Sequence, residues 1–249
     1  MLVKYVNLIM LLCCNTDHNT IMYGEHMVLD RDCEKVRRKI LQASAKLFLS
    51  IGYNRTTIIK IAEEAKVNRG SVIYAFKNKE NIVCDLVADV LEYQFQAVKS
   101  ILKDKAEDKL LLYASETTLQ LYLAESSEHM REMYCVSYSM PNSANIIYHT
   151  ITAKLKDVFS DDLPNWEPRD FFEREISSAG IMRNHISVPC DIYFTMERKI
   201  KSFLESTFLL YHVPQKRIEE SIHFVLQFDW KNIANKVLDK MLSYLQSKA

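Results

Sequence analysis

Glycine is scarce in this chain. Only Gly24, Gly52, Gly70 and Gly180 occur in 249 residues, and no two are near each other. Phosphate-cradling P-loops, dinucleotide-binding fingerprints and nucleophile elbows all need clustered glycines for close backbone approach, so these are excluded. Five prolines and so few glycines fit long helices with short connections. The six cysteines, Cys13, Cys14, Cys33, Cys84, Cys135 and Cys190, form no Cys-x-x-Cys pair and no Cys/His grouping at zinc spacing. Scattered thiols of this kind suit a reducing, cytoplasmic setting. His129, His149 and His185 suggest no metal either. No strand-period alternation, repeat, low-complexity segment or catalytic constellation stands out. No enzyme, cofactor or metal is therefore expected, and the fold class expected is all-α.

The opening MLVKYVNLIMLLCC is apolar with one lysine. No small-x-small cleavage site follows, and the run is shorter than the roughly 20 residues that span a bilayer. Met27 opens a second plausible start. Residues 1–30 are therefore expected to be an N-terminal extension, with residues 1–26 disordered or translated from an unused upstream start, and no membrane association is expected.

Net charge is zero, but it is not evenly spread. Residues 31–81 hold 12 Lys and Arg against 5 Asp and Glu, whereas residues 82–249 hold 19 against 24. Positive charge thus gathers on one short segment, as phosphate binding requires. Within it, NRTTIIKIAEEAKVNRGSVIYAFKNKE at 54–80 reads as two short helices across a tight turn. Ile61, Ala62 and Ala65 are the apolar or small positions of the first. Val67 follows the turn, and Val72 with Phe76 forms a stripe on the second. Thr57 stands at the N-cap position. This is a helix-turn-helix, which sets one helix in the major groove of double-stranded DNA.

These residues resemble the TetR-type family of bacterial transcriptional regulators. The family pattern appears as Thr57, Ile61-Ala62, a turn at Lys66-Val67-Asn68, Gly70, Phe76 and Lys77-Asn78-Lys79-Glu80. The preceding VRRKILQASAKLFLSIGY resembles the family's first helix. The likeness covers about residues 33–82. Lys66 stands where the turn usually has glycine, and a left-handed non-Gly residue costs roughly 1–2 kcal/mol. Ile73 replaces the tyrosine that commonly touches phosphate, and Tyr74 follows it. The resemblance implies a DNA-binding domain at 31–81, then a helical effector-binding and dimerisation domain at 82–249.

The recognition helix is expected to start near Asn68 or Arg69. Arg69 can bond guanine bidentately or hold phosphate. Asn68, Ser71 and Tyr74 carry groups that reach base edges or backbone. Thr57 and the amides at its helix start favour a phosphate. Lys77 and Lys79 are candidate phosphate contacts, and Gly70 is a position of close approach.

Helical periodicity predicts further helices at Glu34–Ser50, from Asn78 to Lys103, and over 106–125, 128–139, 142–160, 170–186, 191–212, 215–228 and 230–247. SDDLPNWEPRD at 160–170 is the clearest loop. Ile200, Phe203, Leu204, Thr207, Phe208 and Tyr211 form one apolar stripe, and Trp230, Ile233, Val237, Leu238, Met241, Leu242 and Leu245 another. Their width predicts that part of each lies in a two-fold dimer interface. Glu125 and His129 are spaced as a surface pair on one helix. Tyr113, Tyr122, Met130, Met133, Tyr134, Tyr138, Met140, Trp166, Phe171 and Phe172 could line an adaptable pocket, though such residues usually form core. The leading reading is a dimeric repressor released by a small apolar effector that acts through the helix leaving the DNA-binding module. The alternative is a DNA-binding regulator controlled by a protein partner or by no ligand.

Overall fold

The computed structural model describes residues 26–247. Of the extension expected at 1–30, residues 1–25 lie outside them, and residues 26–30 belong to the first helix. Among the described residues there are eleven α-helices and no strand: α1 (His26–Ile51), α2 (Ile58–Ala65), α3 (Arg69–Phe76), α4 (Lys79–Leu102), α5 (Lys109–Glu125), α6 (Glu128–Ser139), α7 (Pro141–Phe159), α8 (Pro168–Ser187), α9 (Met196–Leu210), α10 (Gln215–Val225) and α11 (Trp230–Ser247). The all-α expectation holds. Lys35–Ala249 is one compact unit.

Helix boundaries follow side chains that compete for backbone amides. Asn78 caps α4 by accepting from the Asn81 amide at 2.9 Å. Asp108 caps α5 through Leu110 and Leu111, both at 3.1 Å. Pro141 opens α7, where its missing N–H is no loss. The helix expected from 191 begins only at Met196. Asp191 Oδ1 accepts instead from the amides of Tyr193 (2.8 Å) and Phe194 (2.6 Å), which folds the chain into a turn. Glu125 and His129 do not share a helix. The chain breaks between them because Ser127 Oγ takes the Met130 amide at 3.1 Å and starts α6.

The freed Glu125 carboxylate organises a different site. It accepts from Lys199 Nζ at 2.8 Å, from Arg131 at 2.7 Å and from the Cys190 amide at 3.0 Å. Lys199 is 1% exposed and also donates to Val188 O at 2.6 Å, so this buried cation is fully engaged. Burial works to raise the Glu125 carboxyl, but the Lys199 and Cys190 hydrogen bonds and the charges of Lys199 and Arg131 hold it below the usual range.

Helix α5 is the hub, packing against α4, α6, α7, α8, α9, α10 and α11. Surrounded on every side, it shows no clean apolar stripe, and its polar residues bond backward along its own turns. Thr117 Oγ1 donates to Tyr113 O at 3.0 Å and Thr118 Oγ1 to Ala114 O at 2.7 Å. The two stripes expected to lie partly at a dimer interface pack largely inside the chain. Ile200, Phe203, Leu204, Thr207, Phe208 and Tyr211 are all buried within the chain, as are Trp230, Val237 and Met241. Packing against α5 and α8 consumes the first stripe, and packing against α5 and α4 the second. Ile233 and Leu238 of the second stripe are half-buried, and the side chains of Leu242 and Leu245 lie outside the described residues.

One buried group runs against stability. Glu175 on α8 is 2% exposed, and its Oε2 accepts only the Ser178 hydroxyl, at 2.6 Å. Burial pushes its carboxyl up to about 8 from 4.5, partly opposed by that hydrogen bond. Folding therefore takes up a proton across that window. Stability should fall as pH rises from about 4.5 to about 8 and level off above. We expect Glu175→Gln to raise the melting temperature more at pH 8 than at pH 5. The upper bound is on the order of 4–5 kcal/mol, the equivalent of that displacement. Thermal melts at the two pH values check this.

Candidate nucleic-acid interface and effector cavity

Three helices build the basic module. Arg37 of α1 locks the recognition helix from behind: it donates to Ala75 O at 2.8 Å, pairs with Asp85, and lies 4.2 Å from the centre of the Phe76 ring. Thr57 caps α2, its hydroxyl accepting the Lys60 amide at 3.3 Å. Lys66 ends α2 in the left-handed region (φ 54°, ψ 44°). The Val67 amide then reaches back to Ala62 O at 3.0 Å, the six-residue closure of a Schellman motif. The strained lysine is thus held by the turn it completes. Asn68 caps α3 by accepting the Ser71 amide at 2.7 Å.

The candidate DNA-contacting residues divide by what they already touch. Arg69 and Lys77 are exposed and make no ion pair among the described residues. Tyr74 is 84% exposed, more open than Ile59 and Ile73, the other exposed large hydrophobic residues of the module. Ser71 is half-buried at the start of α3. Asn68 commits its oxygen to the cap and keeps its NH2 free. Gly70 lies exposed in the first turn, where an added Cβ would come 3.1 Å from Asn68 Oδ1 and so press on the cap.

Lys79 departs from expectation. Its ammonium donates to Tyr53 O at 2.7 Å and Thr56 O at 2.9 Å, and lies 3.7 Å from the centre of the Tyr53 ring. It clamps the α1–α2 turn to the start of α4, and burial lowers its pKa, opposed by the charge of Glu132. Arg55 and Lys66, not among the expected DNA-contacting residues, are also exposed without an ion pair among the described residues.

A further residue ties this module to the helices behind it. Glu132 on α6 accepts from the Tyr53 amide at 3.0 Å, the Asn54 amide at 3.1 Å and the Asn54 side chain at 2.6 Å. Gly52 makes room: with φ +85°, a Cβ there would sit 2.5 Å from Glu132 Oε2. Glu80 at the start of α4 accepts the Asn142 amide of α7 at 3.0 Å. Sequence spacing gave no sign of either contact, because each joins positions far apart in the chain.

Helix α6 also walls a cavity of 90 Å³. Ala45, Phe48 and Leu49 of α1 form one side, Leu86, Val87, Val90 and Leu91 of α4 another, and Met130, Met133, Tyr134, Ser137 and Tyr138 of α6 a third; α5, α7 and α11 contribute Gln120, Ile147 and Met241. Of the aromatic and methionine residues expected for a pocket, Met130, Met133, Tyr134 and Tyr138 line it. Trp166 is half-buried and Phe171 is core. The cavity extends beyond the effector-binding domain expected at 82–249 because α1 is one of its walls. Among the described residues no group of His, Cys, Asp and Glu could hold a metal ion, and no helix is long and apolar enough to cross a membrane.

Residues 40–85 match the family model described as bacterial regulatory proteins, tetR family. The HTH-type transcriptional regulator HbdR of Aromatoleum sp. (strain CIB) is 38% identical over 65 residues, 26% of this chain and 28% of that protein. The HTH-type transcriptional regulator QacR of Staphylococcus aureus (strain Mu50 / ATCC 700699) is 28% identical over 126 residues, 50% of this chain and 66% of its own length. The chain thus spans under a third of the length of HbdR and just under two thirds of QacR. Among solved structures, RolR in complex with resorcinol superposes with a TM-score of 0.61 at 14% identity, covering 78% of this chain and 95% of that one.

Arg69→Ala and Lys77→Ala should weaken operator binding and leave the melting temperature nearly unchanged. Loss of a phosphate contact should reduce the salt slope by about one, and loss of a base contact should cost roughly 1–3 kcal/mol at one operator position. Lys79→Ala should instead lower stability by roughly 1–3 kcal/mol, because it strands two carbonyls. Operator titrations across a salt series, read beside thermal melts, separate the two classes.

Proposed function

We propose that the chain is a TetR-type transcriptional regulator that works as a dimeric repressor released from its operator by a small, largely apolar ligand. The observation that carries this reading is the shared wall of the cavity. Helix α1 belongs to the basic module, whereas α4 and α6 belong to the helices behind it, and all three border one apolar space. A molecule that fills this space bears on the module directly. It acts through α4, and also through α6, whose Glu132 grips the α1–α2 turn. RolR, of the same fold, was solved with the small aromatic resorcinol.

Outward Arg69 and Tyr74 on α3, with Lys77 just past its end, support DNA binding in the major groove. A dimer supplies the two half-sites, roughly 34–36 Å apart, that one weak module cannot span. Its interface is drawn on the outer face of α8 and α9. These helices pack together, and His185 of α8 meets Ser202 of α9 at 3.1 Å. Ile176 is 46% exposed and Leu209 60%, while Gly180 is open enough that an added Cβ would touch nothing within 4 Å. Small and apolar exposed positions suit close helix packing between subunits.

The second reading, control by a protein partner, draws on Ile192 and Tyr193, which are 83% and 80% exposed on the turn built by Asp191. Two measurements weigh these readings. A ligand that enters the cavity should lower operator affinity about 5- to 150-fold, and operator DNA should weaken the ligand by the same factor. If every bound ligand leaves operator affinity unchanged, the partner-controlled reading takes its place. Leu209→Glu should give a monomer by light scattering at micromolar concentration, with weakened operator binding. A Leu209→Glu protein that stays dimeric would move the interface elsewhere.

A further inference from the structure

A second, smaller cavity of 30 Å³ adjoins the first. The two share Leu91, Gln120 and Tyr138, and Gln120 Nε2 donates to the Tyr138 hydroxyl at 2.7 Å in the partition between them. The chambers differ in chemistry. The larger is walled almost wholly by hydrocarbon. The smaller has room for about one or two water-sized groups, and one of its walls is Glu175.

Glu175 has a single hydroxyl partner, Ser178, and no described Lys, Arg or His forms an ion pair with it. The other acid on this cavity, Glu116, feels the opposing charge of Lys154, which lies over the Phe95 ring. Glu175 has no such relief. Phe95, Tyr113, Tyr138 and Phe203 complete the wall with aromatic rings, whose faces attract a cation. A glutamine would fill the same space without the desolvation burden. A carboxylate is the better residue at this place only when a positive charge arrives beside it.

We propose that the effector is a small amine, its apolar body in the larger cavity and its ammonium head against Glu175 in the smaller one. This rests on the sensor reading above and names the chemistry of its ligand. The ammonium supplies the missing counter-charge and donates to the Glu175 oxygens. The hydrocarbon part displaces nothing polar from the chamber between α1, α4 and α6. The Gln120–Tyr138 pair marks the point where ligand character changes from apolar to charged.

The test compares amines with neutral isosteres by titration calorimetry: 2-phenylethylamine against 2-phenylethanol, and n-hexylamine against hexan-1-ol. On the wild-type protein the amines should bind roughly 10- to 100-fold more tightly, the range of hydrogen bonds to a charged group. Glu175→Gln, checked for an unchanged circular dichroism spectrum, should bring the amines down to the level of the alcohols and leave the alcohols unaffected. Val87→Phe, which fills the larger chamber, should weaken both classes together. Equal affinity of amine and alcohol for the wild type, an amine preference that survives Glu175→Gln, or no amine binding at millimolar concentration overturns the proposal. Operator titrations keep the two readings apart. Glu175-dependent amine binding that leaves operator affinity unchanged contradicts the sensor reading and preserves the site. Operator release by ligands indifferent to Glu175 does the reverse.

Discussion

The carboxylate of Glu132 holds the basic module to the rest of the chain. It takes two backbone amides and one side-chain amide from the turn at Tyr53 and Asn54. That approach is possible because Gly52 has no Cβ to obstruct it and adopts a backbone angle that other residues rarely do. Charge-assisted hydrogen bonds to backbone amides are stronger than neutral ones and fix direction as well as distance. The turn they hold is the same one that Lys79 clamps, so an anion and a cation from two helices converge on Tyr53, Asn54 and Thr56. The orientation of α2 and α3, and with it everything presented to DNA, follows from this turn.

The helix that carries Glu132 is the one whose neighbouring turns form the floor of the cavity. Met130 and Met133 flank the clasp on the chain, and Tyr134, Ser137 and Tyr138 continue along the cavity wall. A packed interior deforms in discrete steps rather than continuously. A shift of α6 to admit a molecule therefore moves the clasp as well. In the proposed release by a ligand, the route expected from the sequence, through α4, gains this second one through α6. The contact between Glu80 and the Asn142 amide adds a tie from α4 to the start of α7.

Much of this was legible because local chemistry wrote it. Thr57, Asn68 and Asn78 announced three helix starts, and each caps the helix expected of it. Lys66 could be read as a left-handed turn residue, and it is one. What could not be read depends on distant partners. The stripe from Ile200 to Tyr211 has the same spacing whether it faces another subunit or α5, and only packing decides that it faces α5. Helix α5 hides its role because burial on every side removes periodicity. Lys79 looks like any basic residue of a DNA-binding segment until the carbonyls of Tyr53 and Thr56 are seen at its ammonium. Glu132 and Glu175 are two glutamates among many in the sequence; their surroundings alone make one a clasp and the other a buried charge.

The clasp is tested most directly by the operator affinity of Glu132→Gln. Glutamine keeps the volume but has one acceptor oxygen, so its NH2 must face amides that now donate to a carboxylate. The residue itself touches no DNA in this account. Operator affinity should therefore change by about fivefold or more, the lower end of typical coupling, while the salt slope stays at the wild-type value because no phosphate contact is lost. An affinity within twofold of wild type would contradict the claim that this carboxylate sets the placement of the module.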